Sequence, residues 1–154
     1  MTTNFVETRD TRNGTFSILS DVEINWVKIV KPVNGYNGGA LQFEAQIASV
    51  DSAQIEALLE VLPNMKVSVD DTPTSFTLKR PAFLGAPGAV SLDGSILESS
   101  ARGMIGNGSR GDVKISHKNH PKTGRPYVCL EAIKVTELKK FVPDSSQFAN
   151  DFDF

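Results

Sequence analysis

Residues 22–30 read Val-Glu-Ile-Asn-Trp-Val-Lys-Ile-Val, and this stretch decides the fold class. Val22, Ile24 and Trp26 alternate with polar residues, and Val27 and Ile29 then continue the alternation on the opposite side. A period of two predicts a β-strand, and the change of side predicts a bulge that bends it, as a small barrel requires. Residues 41–47 alternate in the same way and predict a partner strand, joined to the first through a glycine-rich loop.

The rest of the chain predicts three or four more strands and one helix. Asp51 and Ser52 can cap an amphipathic helix that ends near Leu62, because Pro63 follows. Short strands are predicted at 15–19 and at 75–80, and residues 97–105 are ambiguous. A second hairpin with a basic tip is predicted from 111–117 and 127–135. Residues 81–94 contain two prolines and three glycines and predict a long irregular loop.

About five strands with one helix predict a mainly β fold. A five-stranded barrel like the oligonucleotide/oligosaccharide-binding (OB) fold hides the edges of so few strands, and a β-sandwich or an SH3-like barrel is the competing architecture. We predict a flexible arm over 1–14, the OB-like domain over 15–141, and a disordered acidic and aromatic tail over 142–154. Phe43 and Phe76 are predicted to lie in the core.

The composition is that of an ordinary globular domain. The chain has 154 residues, 40% of them hydrophobic, and no apolar run approaches the length of a membrane span. The N-terminus lacks the features of a secretion signal, and Cys129 is the single cysteine. Together these features favour a cytoplasmic location.

The charge is unevenly distributed although the net charge is only −2. Residues 102–125 hold six basic side chains and one acid, whereas residues 43–71 hold six acids and one lysine. Binding follows the local field, so a basic face on an acidic protein can hold phosphates. The alternative is that these lysines are simply solvated loop residues.

Catalysis finds little support in the sequence. His117, His120 and Cys129 are three potential metal ligands, one short of a closed tetrahedral zinc set, and exposed polar loop residues are the simpler interpretation. No nucleophile and base are suggested by local sequence. We therefore expect no enzyme, no metal and no cofactor.

Binding of single-stranded nucleic acid needs rings on which bases stack and cations that follow the backbone. Several rings of this chain lie near cations in sequence, although each has a position in the core as its alternative. The candidate nucleic-acid-binding residues are Trp26, Lys28, Lys31, Tyr36, Lys79, Arg80, Phe83, Arg102, Arg110, Lys114, Lys118, Lys122, Arg125 and Tyr127.

The C-terminal residues alternate acid and aromatic side chains. A mobile tail of this kind can place its rings in an apolar pocket of a partner while its carboxylates meet Lys or Arg. It also imitates single-stranded DNA, which is anionic and carries flat rings. The alternative is a frayed terminus that aids solubility. The candidate partner-binding residues are Asp151, Phe152, Asp153 and Phe154.

Three blocks resemble the single-stranded DNA-binding proteins of tailed bacteriophages, in the same order along the chain. They are residues 22–61, the sequence Ile105-Gly106-Asn107-Gly108-Ser109 ahead of a strand, and residues 130–135 before the tail. The resemblance implies an OB fold that coats single strands during DNA replication and recombination. It also implies a tail that competes with DNA and contacts DNA polymerase and helicase or primase. The tail carries only three aspartates, and Arg125-Pro126 opens the last strand in place of a glycine, which are two departures from the pattern.

The leading hypothesis is therefore a sequence-tolerant single-stranded DNA-binding protein, and a homodimer is compatible with it. The alternative is a small β-barrel module for protein interaction or phage assembly, in which the basic stretch serves a protein partner. An enzyme is a distant third.

Overall fold

Seven strands and two helices follow one another in the described part of the chain. The computed structural model describes residues 5–12, 14–35, 39–49, 51–61, 75–119 and 121–140. The elements are β1 (Val6–Thr11), β2 (Gly14–Gly35), β3 (Gly39–Ala48), α1 (Ser52–Val61), β4 (Ser75–Pro81), a 3-10 turn (Ala82–Leu84), β5 (Gly88–Val90), α2 (Ser99–Arg102), β6 (Ser109–Asn119) and β7 (Pro126–Glu137).

One sheet contains all seven strands in the order β4-β3-β2-β6-β7-β5, with β1 added to β2. All neighbours are antiparallel except β5, which pairs parallel to β7. Strands β4 and β7 approach each other without ladder pairing between the described residues, so the barrel stays partly open there. This architecture confirms the predicted mainly β, OB-like fold, including both hairpins.

The core is built from the side of each strand that the alternation predicted to face inward. Ile24 and Ile47 lie opposite each other on β2 and β3, and both are fully buried. Phe43 and Phe76 are buried as predicted, and Val113 on β6 is also fully buried. Removing these side chains from water is the main favourable contribution to folding.

Helix α1 covers one end of this core and begins where the sequence predicts. The Asp51 carboxylate accepts hydrogen bonds from the backbone N–H groups of Ala53 at 2.9 Å and Gln54 at 3.2 Å, which satisfies the first turn. The buried Gln54 side chain donates to the Ser20 carbonyl at 2.9 Å and ties the helix to β2. Leu62, the predicted end of the helix, lies outside the described residues.

Strand β2 is irregular at several points, and two of these are bulges that contain a left-handed residue. One of the two lies inside the stretch where the sequence predicts a bulge. Between Asn25 and Lys28 the strand takes three steps while β3 takes two, and a similar extra residue lies between Leu19 and Val22 opposite β6. Asp21 (φ 53°) and Trp26 (φ 49°), one in each bulge, have left-handed backbones. This conformation is unfavourable for residues other than glycine, so neighbouring contacts must hold it.

Two side-chain oxygens stabilise the bulges. One belongs to the loop that precedes β6, and the other belongs to β6 itself. The Asp21 N–H donates to the Asp112 carboxylate at 3.0 Å, and the Trp26 N–H donates to the Asn107 side-chain oxygen at 2.8 Å. In return the Gly108 N–H donates to the Asn25 side-chain oxygen at 2.8 Å. The Ile-Gly-Asn-Gly-Ser block singled out in the sequence therefore fastens the loop before β6 to the bend of β2.

The structure differs from the sequence predictions in three places. Residues 6–11, expected within a flexible arm, form β1 and pair with β2, and the supposed short strand at 15–19 is the beginning of β2 itself. Residues 88–90, expected in an irregular loop, form β5, and residues 99–102 form the single turn of α2. Apolar alternation does not mark β1, because only its first residue is half-buried.

The helices offer no transmembrane candidate. Among the described residues, no helix has both the length and the apolar character that crossing a bilayer requires.

Gly111 makes the closest backbone approach in the sheet and supplies a stability test. A Cβ at this position would lie 2.1 Å from the Lys134 carbonyl oxygen, a backbone atom that cannot move aside. We expect Gly111→Ala to lower the melting temperature by roughly 3–10 °C, because overpacking costs about 1–3 kcal/mol. Circular dichroism during heating measures this.

Gly88→Ala is the matched control, since its Cβ would lie at ordinary van der Waals distances of 3.5 Å from the Ala132 Cβ and 3.9 Å from the Glu131 carbonyl oxygen. We expect its melting temperature to change by less than about 2 °C. Equal melting temperatures for the two variants would contradict the close approach described at Gly111.

Candidate nucleic-acid interface

One face of β6 carries three of the predicted cations. Arg110, Lys114 and Lys118 are separated by even numbers of residues along a regular strand, so their side chains point to the same side, away from buried Val113 and Ile115. The strand therefore places these three cations in one line. Their surroundings differ, however, and only two of them are available to a ligand.

Lys114 lies over an aromatic ring. Its Nζ is 4.6 Å from the centre of the Phe16 ring on β2, a cation–π contact. Arg9 on β1 lies opposite Phe16 and adds a second exposed cation to this face. Sequence analysis missed Arg9 because β1 was not recognised. It missed Phe16, although it predicted a strand at 15–19, because the contact with Lys114 joins residues far apart in the sequence.

Arg110 is held by an acid. Its Nε donates to the Asp21 carboxylate at 3.0 Å, and Nη2 donates to the Asp21 carbonyl at 2.8 Å. The hydrogen bond with Asp21, together with the charges of Asp21, Glu137 and Glu23, raises the pKa of the Arg110 guanidinium although burial opposes this. We therefore assign Arg110 to supporting the Asp21 bulge and remove it from the candidate interface.

Lys118 and Tyr127 lie opposite each other in the β6–β7 hairpin, close to the loop that joins the two strands. Tyr127 is 37% exposed, and both residues line a cavity shared with His117 and Glu60. Lys122 and Arg125 follow at the exposed hairpin tip. The hairpin thus presents one ring and a set of cations, with the Glu60 carboxylate nearby.

A second set of cations crosses β2, β3 and β4. Lys28, Glu44 and Lys79 lie opposite one another in register, so their side chains form a row on the outer side of the barrel. The Lys28 Nζ is 3.5 Å from a Glu44 carboxylate oxygen, with the Lys28 side chain still 47% exposed. Lys31 is exposed further along β2. The row is a mixed surface in which one acid lies between two lysines.

Arg80 bridges the opening of the barrel. From the end of β4 its Nη1 donates to the Leu130 carbonyl and to a Glu131 carboxylate oxygen on β7, each at 3.2 Å. Its Nε and Nη2 donate to the carbonyls of Gly85 at 2.8 Å and Leu84 at 3.1 Å. Because these bonds engage the guanidinium on every side, we assign Arg80 to closing the fold rather than to binding a ligand.

Arg102 is likewise used inside the protein. Its Nε donates to the Leu97 carbonyl at 3.0 Å and its Nη1 to the Pro87 carbonyl at 2.6 Å. These bonds fasten α2 to the segment around β5. Arg102 is therefore also removed from the candidate interface.

The predicted rings divide into exposed and buried groups. Trp26 is 63% exposed and Phe83 is 85% exposed, so both are accessible to a ligand. The alternation of Trp26 with Val22 and Ile24 allowed a position in the core. The bulge instead turns the Trp26 side chain outward. Tyr36 and the tail residues Asp151, Phe152, Asp153 and Phe154 lie outside the described residues.

The described residues contain no group of three His, Cys, Asp or Glu side chains that could hold a metal ion. His117 Nε2 shares a hydrogen bond of 2.6 Å with the Ser17 hydroxyl. Burial raises the pKa of the Cys129 thiol, the Glu131 charge adds to this effect, and Arg80 opposes it. Cys129 is thus a buried neutral thiol. His120 lies outside the described residues.

Comparison with known proteins identifies the same fold in a phage protein. No protein-family model and no curated protein sequence matches the chain. By structure, it resembles the single-stranded DNA-binding protein from bacteriophage Enc34 in complex with ssDNA, with 14% identity, a TM-score of 0.55, and coverage of 92% of this chain and 100% of that chain.

Two further structures of the Enc34 protein agree with this. A C-terminal truncation gives 16% identity and a TM-score of 0.55, covering 92% of this chain and 99% of that chain. A third structure of the Enc34 protein gives 13% identity and a TM-score of 0.53, covering 96% of this chain and 99% of that chain. The resemblance to phage single-stranded DNA-binding proteins that the sequence indicated is confirmed in the fold.

Arg80 and Lys79 are adjacent cations with different expected roles in stability. We expect Arg80→Met to lower the free energy of unfolding by about 2 kcal/mol, because hydrogen bonds to a charged group are lost and Glu131 keeps an unpaired charge. Lys79→Met, at an exposed position, should change it by less than about 0.5 kcal/mol. Urea denaturation followed by fluorescence measures both, and equal losses would contradict the bridging role of Arg80.

Proposed function

We propose that this chain is a non-enzymatic protein that binds single-stranded DNA without sequence preference. The observation that carries the proposal is the fold, which matches over nearly the whole chain a phage protein solved in complex with ssDNA. The outer surface supports it, because lysines lie near accessible rings: exposed Lys28 near Trp26 on β2, and half-buried Lys118 opposite Tyr127. Cations for the backbone and rings for the bases are what such binding requires.

We further propose that the OB-like domain over 15–141 coats single strands in phage replication and recombination. The tail over 142–154 then contacts replication proteins, namely DNA polymerase and helicase or primase, in the host cytoplasm. What supports this is the acid and aromatic alternation that ends in Asp151, Phe152, Asp153 and Phe154. Such a segment can bind an apolar pocket and a cationic rim at the same time.

A protein-interaction or assembly module remains the second candidate. It is favoured by apolar side chains exposed around α2 and β5, namely Leu92 at 64% and Ile96 at 79%. A gel shift with labelled single-stranded DNA separates the two functions, because the second one requires no shift.

Salt dependence tests the proposed binding directly. If Lys28, Lys79, Lys114 and Lys118 each neutralise one phosphate, log affinity should fall with log salt at a slope of about −3, from roughly −0.7 per contact on single strands. Titration of a fluorescent oligo-dT at several salt concentrations measures the slope. Binding that stays constant from low to moderate salt would reject the proposal.

Two charge variants sharpen this test. Replacing Lys114 and Lys118 together by Ala should weaken all sequences alike and reduce the slope to about half its value. Glu44→Gln should act in the opposite direction and raise the affinity, because it removes the acid between Lys28 and Lys79. A loss of affinity in Glu44→Gln would argue against a DNA path over this row.

Deletion of residues 151–154 tests the tail. We expect unchanged thermal stability, a modestly higher affinity for DNA because a competing anion is gone, and loss of polymerase or helicase stimulation. Oligo-dT titration and a primer-extension assay measure the two effects. Full stimulation by the truncated chain would show that these residues contact no replication partner.

A further inference from the structure

A small cavity lies beside the Trp26 bulge. It has a volume of about 190 Å³ and is bounded by Trp26, Val27 and Lys28 on one side and by the segment 103–107 on the other. Ile105, which is buried among the core residues, also lines it. Glycines at 103 and 106 carry no side chain that would fill it. The cavity thus combines apolar walls, a ring and a cation.

The Trp26 side chain is exposed on a backbone that tryptophan does not favour. It leaves 63% of its surface in water, and its left-handed φ of 49° is strained for any residue with a Cβ. Folding explains neither property, because glycine or asparagine would occupy this bulge at lower cost. Residues held in strained backbone conformations cluster at active sites and ligand-binding sites.

The backbone that carries Trp26 is fixed from both sides. Asn107 accepts from the Trp26 N–H at 2.8 Å, and Asn25 accepts from the Gly108 N–H, also at 2.8 Å. The Gly108 N–H makes a second contact with the Ile24 carbonyl at 3.2 Å. The two walls of the cavity are therefore held at a fixed distance before any ligand arrives, which reduces the ordering cost of binding.

We propose that this cavity receives one nucleobase of single-stranded DNA, stacked on the Trp26 indole, while Lys28 contacts the adjoining phosphate. The inference rests on the proposed function and adds a base-binding position to it. Lys28 belongs both to the cavity and to the row that it forms with Glu44 and Lys79. A DNA strand bound along this row would therefore reach the cavity while it stays in contact with lysine side chains.

The lining of the cavity also predicts tolerance of base identity. Stacking uses the face of a base, which all four bases possess. The side-chain oxygen of Asn107, which could otherwise accept a hydrogen bond from a base edge, is already bound to the Trp26 N–H. The site should therefore bind any of the four bases and should not bind an abasic nucleotide.

Trp26 is the single tryptophan of the chain, so its fluorescence reports on the cavity alone. The full chain is titrated with an end-labelled oligo-dT and with an abasic oligomer of the same length and charge. Anisotropy of the label follows binding, and tryptophan emission follows stacking. We expect strong quenching by oligo-dT and little quenching by the abasic oligomer when both are bound.

Trp26→Gly provides the matching variant, since glycine suits the left-handed backbone and should keep the fold intact. Because one stacked base contributes about 1–3 kcal/mol, its affinity for oligo-dT should fall between about 5-fold and about 150-fold. Its affinity for the abasic oligomer should stay within twofold. Ile96→Ala, which removes an exposed apolar side chain elsewhere, should change neither affinity.

The outcomes separate this inference from the proposed function. Anisotropy that rises while tryptophan emission stays constant would overturn the cavity and leave DNA binding standing. Equal quenching by oligo-dT and the abasic oligomer would also overturn it. No anisotropy change with either oligomer would overturn both proposals.

Discussion

Strand β2 pairs with β1 and β6 in its first half and with β3 in its second half, so the sheet exists only if this one strand bends. An extended chain does not bend sharply by itself, and here the bends are left-handed residues at Asp21 and Trp26. Each is held by a side-chain oxygen from the β6 side, Asp112 for the first and Asn107 for the second. Two hydrogen bonds between residues 91 and 81 positions apart therefore compensate for the backbone strain of these bends.

The cations divide by chemistry into structural arginines and accessible lysines. Arg80, Arg102 and Arg110 each donate to two or more oxygens of the protein, which the planar guanidinium fork allows. Lys28 and Lys114 make a single charge contact each, with a carboxylate and with a ring. A lysine held this loosely can exchange its partner for a phosphate, whereas an arginine in such a network would leave buried oxygens unpaired.

The sequence predicted what depends on neighbouring residues and missed what depends on distant ones. The alternation at 22–30 and the cap at Asp51 are local, and both gave the correct elements and even the bulge. Strand β5 has three residues in a proline- and glycine-rich segment and exists only because β7 offers it an edge. The role of Arg80 depends on Glu131, 51 residues away, so its charge alone suggested a ligand.

The positive electrostatic field around the exposed lysines is weak, and this affects how the proposed ligand would be bound. With Glu44 between Lys28 and Lys79, and Glu60 near Lys118, the lysines are partly neutralised before DNA arrives. Phosphate contacts alone would then give modest affinity that salt readily removes. A protein with the proposed function, which would coat a strand and then release it, benefits from this balance, provided that stacking supplies the remaining affinity. The bend of β2 that the sheet requires also exposes the Trp26 ring to solvent, where the ring can supply this stacking.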